Sequence, residues 1–160
     1  CVNTARPNHL VVEAIQNGTV KELQDFEKLK QEVRYGDEKS RIDIFLSGGN
    51  QEIYVELKNT TLMEEQSGKQ IGFFPDAVSE RASKHLRELM RMVELGHRAV
   101  IFFCVNHTGI EEVRPADHID QTYGRLLRQA ADSGVEILAY KSRITDDEIA
   151  LTQKIPVVLP

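Results

Sequence analysis

Ser40-Arg-Ile-Asp-Ile-Phe-Leu-Ser-Gly-Gly-Asn50, running on into Gln51-Glu-Ile-Tyr-Val-Glu-Leu-Lys58, is the stretch on which the fold turns. Both flanks alternate apolar and polar residues, the period of a strand, and Gly48-Gly49 between them supplies the residues of a tight turn. On the second flank Tyr54, Glu56 and Lys58 share a face, opposite Ile53, Val55 and Leu57. On the first, Asp43 has the parity of Arg41 and Phe45, opposite Ile42, Ile44 and Leu46. A turn centred on Gly48-Gly49 pairs Ser47 with Asn50, and therefore Asp43 with Tyr54. Asp43 and Glu56 are then diagonal neighbours on one face, roughly 7–8 Å apart at the backbone. A turn of odd length would put them on opposite faces.

Upstream, Asn8 is placed to cap a helix carrying Leu10, Val11, Ala14 and Ile15 at helical spacing, with Gly18 as its stop. A second short amphipathic segment, Val20 to Leu29, leads into a strand over Gln31 to Tyr35 that Gly36 ends. Downstream, residues 60–75 are polar, contain glycine and finish at Pro75, the pattern of a loop. Val78, Ala82, Leu86, Leu89 and Val93 then mark a long helix closed by Gly96. The unbroken apolar run Arg98 to Val105 suits a strand buried on both faces. Asp120 caps a further helix through Tyr123, Leu126, Leu127 and Ala130, stopped by Gly134. Val135 to Tyr140 reads as a strand, and Ile149 to Leu159 as one or two short edge strands. This order describes an α/β domain with a mixed central sheet flanked by helices.

Length and composition bound the function. A chain of 160 residues fits one domain, and 41% hydrophobic with 28% charged residues is globular rather than disordered. No apolar run approaches the ~20 residues of a membrane span, and the opening residues lack a signal peptide's apolar core. Cys104 sits within an apolar strand and Cys1 opens the chain, so a disulfide framework is not indicated and a reducing cytoplasm is expected. An opening on Cys1 rather than Met is what a fragment or a processed product would show. The net charge of -5 weighs against a domain that simply coats itself with nucleic acid.

Two carboxylates and a lysine on a rigid hairpin have a chemical use. Carboxylate oxygens bind Mg²⁺, which keeps waters and takes further ligands from phosphate. Such an ion activates water, and a neighbouring ammonium stabilises the charge that develops. The same spacing also fits an ordinary solvated strand face with weak ion pairs.

Ser40-Arg-Ile-Asp43 followed by Tyr54-Val-Glu-Leu-Lys-Asn59 resembles the core of the PD-(D/E)XK nuclease superfamily. More specifically, the chain resembles the sugar fermentation stimulation protein A family. The matching stretches are Val2-Asn-Thr4 with Pro7-Asn-His-Leu10, Glu32-Val-Arg-Tyr-Gly36, and Val55-Glu-Leu-Lys-Asn-Thr-Thr-Leu62. They continue with Phe74-Pro-Asp-Ala-Val-Ser-Glu-Arg81, Lys84-His-Leu-Arg-Glu-Leu89, Arg114-Pro-Ala-Asp-His-Ile-Asp120 and Gly134-Val-Glu-Ile-Leu-Ala-Tyr140. This resemblance implies a restriction-endonuclease-like fold and a DNA-binding protein, once proposed to regulate maltose metabolism. It makes residues 1–160 the nuclease-like domain, without the OB-like N-terminal domain that family members carry. It also makes Asp43 and Glu56 metal ligands for Mg²⁺ or Mn²⁺, with the Leu57 carbonyl as a third and Glu13 of the first helix as a supplement. Lys58 becomes the catalytic lysine. Where the superfamily usually has Pro before the motif's Asp, this chain has Ile42.

Other residues carry weaker signals. Lys84, with Arg81 and Arg87 nearby, is the best phosphate contact on the long helix, although a solvated face with a Glu80–Lys84 pair fits as well. His85, next to Lys84, either points toward the DNA side or, the stronger reading, is a partly buried packing or hydrogen-bonding histidine. His9, His97, His107 and His118 lack zinc-like spacing. Phe73 and Phe74 belong either to a DNA-contacting loop or, the favoured reading, to the hydrophobic anchor of that loop. Glu32 and Arg34 either brace the site or pair with each other.

The leading expectation is therefore a divalent-metal-dependent deoxyribonuclease with little sequence specificity and no membrane partner, for which a homodimer is allowed. The alternative is a non-catalytic, non-specific DNA-binding regulatory module on a nuclease scaffold. RNA as substrate is a third, weaker reading.

Overall fold

The computed structural model describes residues 6–36, 40–146 and 148–160; Cys1 and the Val2–Thr4 stretch lie outside the described residues. At the centre of the molecule is the hairpin of β2 (Ser40–Gly48) and β3 (Gln51–Thr60). Its register pairs Ile44 with Val55, Leu46 with Ile53 and Gly48 with Gln51. The turn is thus Gly49-Asn50, one residue later than the sequence suggests. Gly49 takes the left-handed φ of 58° that a tight hairpin turn demands. Gly48 stays in the strand because the chain passes close by. A Cβ there would collide with the backbone of Phe26 and Glu27, whose N–H donates to the Ser47 carbonyl. The correction is an even step of register, so the faces survive, and Asp43 falls opposite Glu56 rather than Tyr54.

The expected amphipathic segment after residue 20 is only a 3₁₀ turn, Lys21–Leu23. The chain is already committed to the sheet there, and β1 begins at Lys28 and runs to Tyr35, antiparallel to β2. Within β1, Glu32 adopts a left-handed φ of 56° between the pairs Gln31–Ile44 and Val33–Ile42, across from Asp43. At this point the hairpin departs from simple alternation. Ile44 and Leu46 pack with Val11, Ala14 and Ile15 of α1 (Arg6–Gln16), whereas Ile42 packs with Tyr35, Leu86 and Leu89 on the other side of the sheet.

Beyond β3 the sheet becomes parallel through β6 (Arg98–Val105) and β8 (Glu136–Ile144), and ends with antiparallel β9 (Ile149–Ile155). The order is β1-β2-β3-β6-β8-β9. β6 is buried on both faces as its apolar run requires. Ala99, Ile101 and Phe103 face α2 (Glu80–Glu94) and α3 (Gln121–Ser133), while Val100, Phe102 and Cys104 face α1. Truncating the fully buried Phe102 to Ala should cost about 3–5 kcal/mol.

Both long helices have side-chain caps. Ser79 Oγ accepts the Ala82 N–H at 3.0 Å, and Asp120 Oδ1 accepts the Tyr123 N–H at 3.0 Å. Val78, expected on the apolar face of α2, precedes the helix and is 71% exposed. Because α1 begins at Arg6, Asn8 lies within its first turn rather than at its cap.

Residues 60–75 are not a loop. They form a hairpin, β4 (Leu62–Gln66) and β5 (Lys69–Phe74), and β7 (Glu112–Pro115) joins it in a second, three-stranded sheet. Its turn is Ser67-Gly68, both at positive φ, the backbone of a tight two-residue connection. Among the described residues no helix is long and apolar enough to cross a membrane.

Candidate metal and catalytic site

The site forms where β2 and β3 part. Their ladder ends at the Ile44–Val55 pair, and beyond it the Leu57 N–H is taken by a side chain: Asp43 Oδ2 accepts it at 2.8 Å. The Asp43 carboxylate therefore stands in the opening between the strands, facing Glu56. Alternation along β3 sends Val55 and Leu57 into the core beneath α1 and leaves Glu56 and Lys58 on the side of α2.

From above, α2 contributes Arg81, Ala82 and His85. These residues, with Asn8 of α1, Asn59 and Phe74, enclose a cleft of about 280 Å³ around Asp43, Glu56, Leu57 and Lys58. Lys58 Nζ lies 2.9 Å from His85 Nδ1 and 3.9 Å from Glu56 Oε1, and His85 Nδ1 is 3.3 Å from the same oxygen.

The electrostatics are those of a strained pair of acids. Glu56 is 3% exposed, and its Oε2 is buried without a hydrogen-bond partner. Burial first, then the Asp43 charge, pushes the Glu56 carboxyl up to about 9, because two facing acceptors need a proton or a cation between them. Burial lowers Lys58 from its usual range. Burial, reinforced by Lys58, Arg81 and Lys84, holds His85 down at about 3, so the imidazole is neutral.

This donor set fits a hard cation. It offers two carboxylates, one buried oxygen without a donor, and a strand carbonyl at Leu57 beside them. Among the described residues no group of three or more His, Cys, Asp or Glu is gathered for a metal, so water and substrate would complete the coordination. Soft or tetrahedral metal sites find no support in these ligands. A larger groove of about 420 Å³ between α1 and the β8–β9 turn, lined by His9, Asp146 and Glu148, lacks any such convergence.

Several residues singled out in the sequence meet here and others do not. Asp43, Glu56, Leu57, Lys58 and Arg81 converge on the cleft. Glu13 does not line it: Leu10, Val11, Ala14 and Ile15 set the buried side of α1, which leaves Glu13 exposed. Arg87 lines a separate groove with Glu80, Ser83 and Asp120. Lys84 is half-buried and acts on His85 through its charge without lining the cleft. His85 is buried and hydrogen-bonded as expected, but at the centre of the site rather than in the core. The spacing of Arg81 and His85, one turn apart on the same helix face, was the available signal. Asn8, Asn59 and Phe74 lie in the stretches that carry the family resemblance, but spacing alone assigned none of them to the site.

The sequence profile described as "Sugar fermentation stimulation protein RE domain" matches residues 5–148. This chain belongs to the sugar fermentation stimulation protein family. A "Sugar fermentation stimulation protein homolog" from Hahella chejuensis is 55% identical over 159 residues, covering 98% of this chain and 64% of the relative. The Marinomonas homologue is 52% identical, covering 100% of this chain and 61% of its own length. The chain thus spans somewhat under two thirds of these family members. The solved structure of Pyrococcus furiosus SfsA in complex with Ca²⁺ superposes with a TM-score of 0.86 at 27% identity, covering 98% of this chain and 66% of that one. Within the family this domain has the restriction-endonuclease-like fold, a mixed sheet flanked by helices.

Proposed function

We propose that this domain is a divalent-metal-dependent phosphodiesterase acting on DNA. The observation that carries the reading is the convergence of Asp43 and Glu56, with Glu56 Oε2 buried and donorless, two residues before a lysine held at the same cleft. The Ca²⁺ in the related Pyrococcus furiosus structure supports a hard-cation site in this family, and Ca²⁺ and Mg²⁺ share oxygen ligands.

Asp43, Glu56 and the Leu57 carbonyl would hold Mg²⁺ or Mn²⁺. Bound there, the ion would acidify a water molecule and offset the charge that develops on phosphate. Lys58 donates to the attacking water or to a phosphate oxygen, from a position fixed by its neighbours. Arg81, exposed at the mouth, meets the incoming phosphate, and Lys84 adds positive potential behind it. Asn8 and Asn59 offer amide donors to the strand, and Phe74 walls the cleft against solvent. A bound cation would offset the negative charge of the site carboxylates, so affinity for DNA should depend on metal. We further propose that the additional length of the relatives carries an OB-like domain supplying most of the salt-sensitive, non-specific affinity.

Incubating the protein with plasmid, branched and single-stranded DNA in Mg²⁺, Mn²⁺ or EDTA tests this. Cleavage by wild type that Lys58→Ala loses supports the enzyme. DNA that is bound but never cut under any metal would establish the regulatory module instead.

A further inference from the structure

His85 sits between the two groups that matter most, and its Nδ1 has two claimants. Lys58 Nζ is 2.9 Å away and Glu56 Oε1 is 3.3 Å away. One ring nitrogen serves one of them at a time: bare, it accepts from the Lys58 ammonium or from a protonated Glu56; protonated, it donates to an ionised Glu56. The shorter contact is to Lys58, which as an ammonium has three donors and no acceptor.

We infer that His85 is a positioning residue for Lys58. Its bare Nδ1 accepts from the ammonium, and the proton of the neutral ring resides on Nε2. The inference rests on the proposed phosphodiesterase for its consequence, but its geometry stands apart from any metal. Lys58 is a flexible four-carbon stem whose head has, among the described residues, one other ion-pair partner, Glu56 Oε1 at 3.9 Å, too long for a hydrogen bond. His85 supplies the missing constraint. It is itself 4% exposed, on a helix packed against the sheet through Ala82, Leu86 and Leu89, so its ring has little freedom. The remaining Lys58 hydrogens are thereby turned toward the cleft, where a water or phosphate oxygen would lie.

Two measurements test this. Long-range proton–nitrogen spectra of the histidine rings, on the metal-free protein, should show Nδ1 of His85 unprotonated and Nε2 protonated. Lys58→Met should then move the Nδ1 resonance toward that of a nitrogen without a donor. A proton on Nδ1, or a spectrum indifferent to Lys58→Met, overturns the inference, because His85 would then serve Glu56. In cleavage assays His85→Ala should lower kcat by about 10²-fold, the scale of a misplaced catalytic group, with KM for DNA unchanged. His85→Asn, whose amide oxygen can stand near the Nδ1 position, should restore most of that loss, whereas His85→Gln should not. Equal loss in all three variants refutes positioning through Nδ1. If wild type proves unable to cut DNA, the phosphodiesterase reading fails, while the spectra still decide the Lys58–His85 bond.

Discussion

Glu56 on β3 and Glu112 on β7 are equally hidden from solvent, each 3% exposed, and they behave in opposite ways. Burial pushes both carboxyls up. At Glu112, which is covered but shallow, Arg114 and Lys69 outweigh that push, and the group is held below the usual carboxylate range. At Glu56 the Asp43 carboxylate adds to that push, Lys58 stands off at 3.9 Å, and the acid is raised to about 9. The protein has neutralised Glu112 with its own cations and has left Glu56 facing a second acid, the contrast on which the proposed metal site rests. Equal burial, then, does not set an acid's proton affinity; the sign of its partners does.

The largest test of that contrast is loss of function. Glu56→Ala should abolish calorimetric Mg²⁺ binding and reduce DNA cleavage on the order of 10³-fold, since several kcal/mol of charge stabilisation go with the ion. Glu112→Ala should leave both unchanged. Ion binding that survives Glu56→Ala would break the comparison at its root.

Acid–base linkage gives a second test. The Glu56 carboxyl binds its proton more tightly folded than unfolded, so its contribution is fully present below the unfolded pKa and fades as pH climbs toward 9. The metal-free melting temperature should therefore fall as pH rises from about 5 to 9. Glu56→Gln should flatten that slope, and Mg²⁺ should reverse it. Glu112 has the opposite sign: its depressed pKa stabilises the fold above the unfolded value and is lost as the solution is acidified. His85, neutral when buried, likewise loses its contribution as pH falls from its ordinary range toward about 3.

Smaller effects belong to the backbone and the surface. Glu32→Gly removes a non-glycine side chain from a left-handed position and should stabilise the protein by up to about 1 kcal/mol in urea titrations, the gain being trimmed by glycine's unfolded entropy. Lys69→Ala, removing the more exposed partner of Glu112, should cost less than about 1 kcal/mol. A cost well above that would mean Glu112 depends on Lys69 as much as on Arg114.

How much of this was legible in the sequence follows from the range of the interactions concerned. β6 and α3 were readable almost to the residue, because a continuous apolar run and a matched cap and stop are local signals. The carboxylate pair was readable because register errors of two residues preserve faces. The β4–β5 hairpin was missed because its alternation is faint and its third strand comes from far along the chain. Glu13 was placed at the site on resemblance alone, and the phase of α1 turns it outward. The meeting of His85 with Lys58 depends on how α2 rolls onto the sheet, which no local pattern encodes. Nor did alternation reveal the change of face between Ile42 and Ile44, which lies opposite one left-handed residue on the neighbouring strand.

The bond from the Leu57 N–H to Asp43 Oδ2 has a consequence for coordination. One oxygen of Asp43 stitches the parted strands, so the carboxylate is predisposed to offer a cation a single oxygen instead of a chelating pair. Asp43→Asn keeps an acceptor for that amide, whereas Asp43→Ala strands it. The alanine variant thus conflates a torn sheet with a lost ligand, whereas the asparagine variant, whose NH2 would face the cation, removes the ligand oxygen and keeps the sheet.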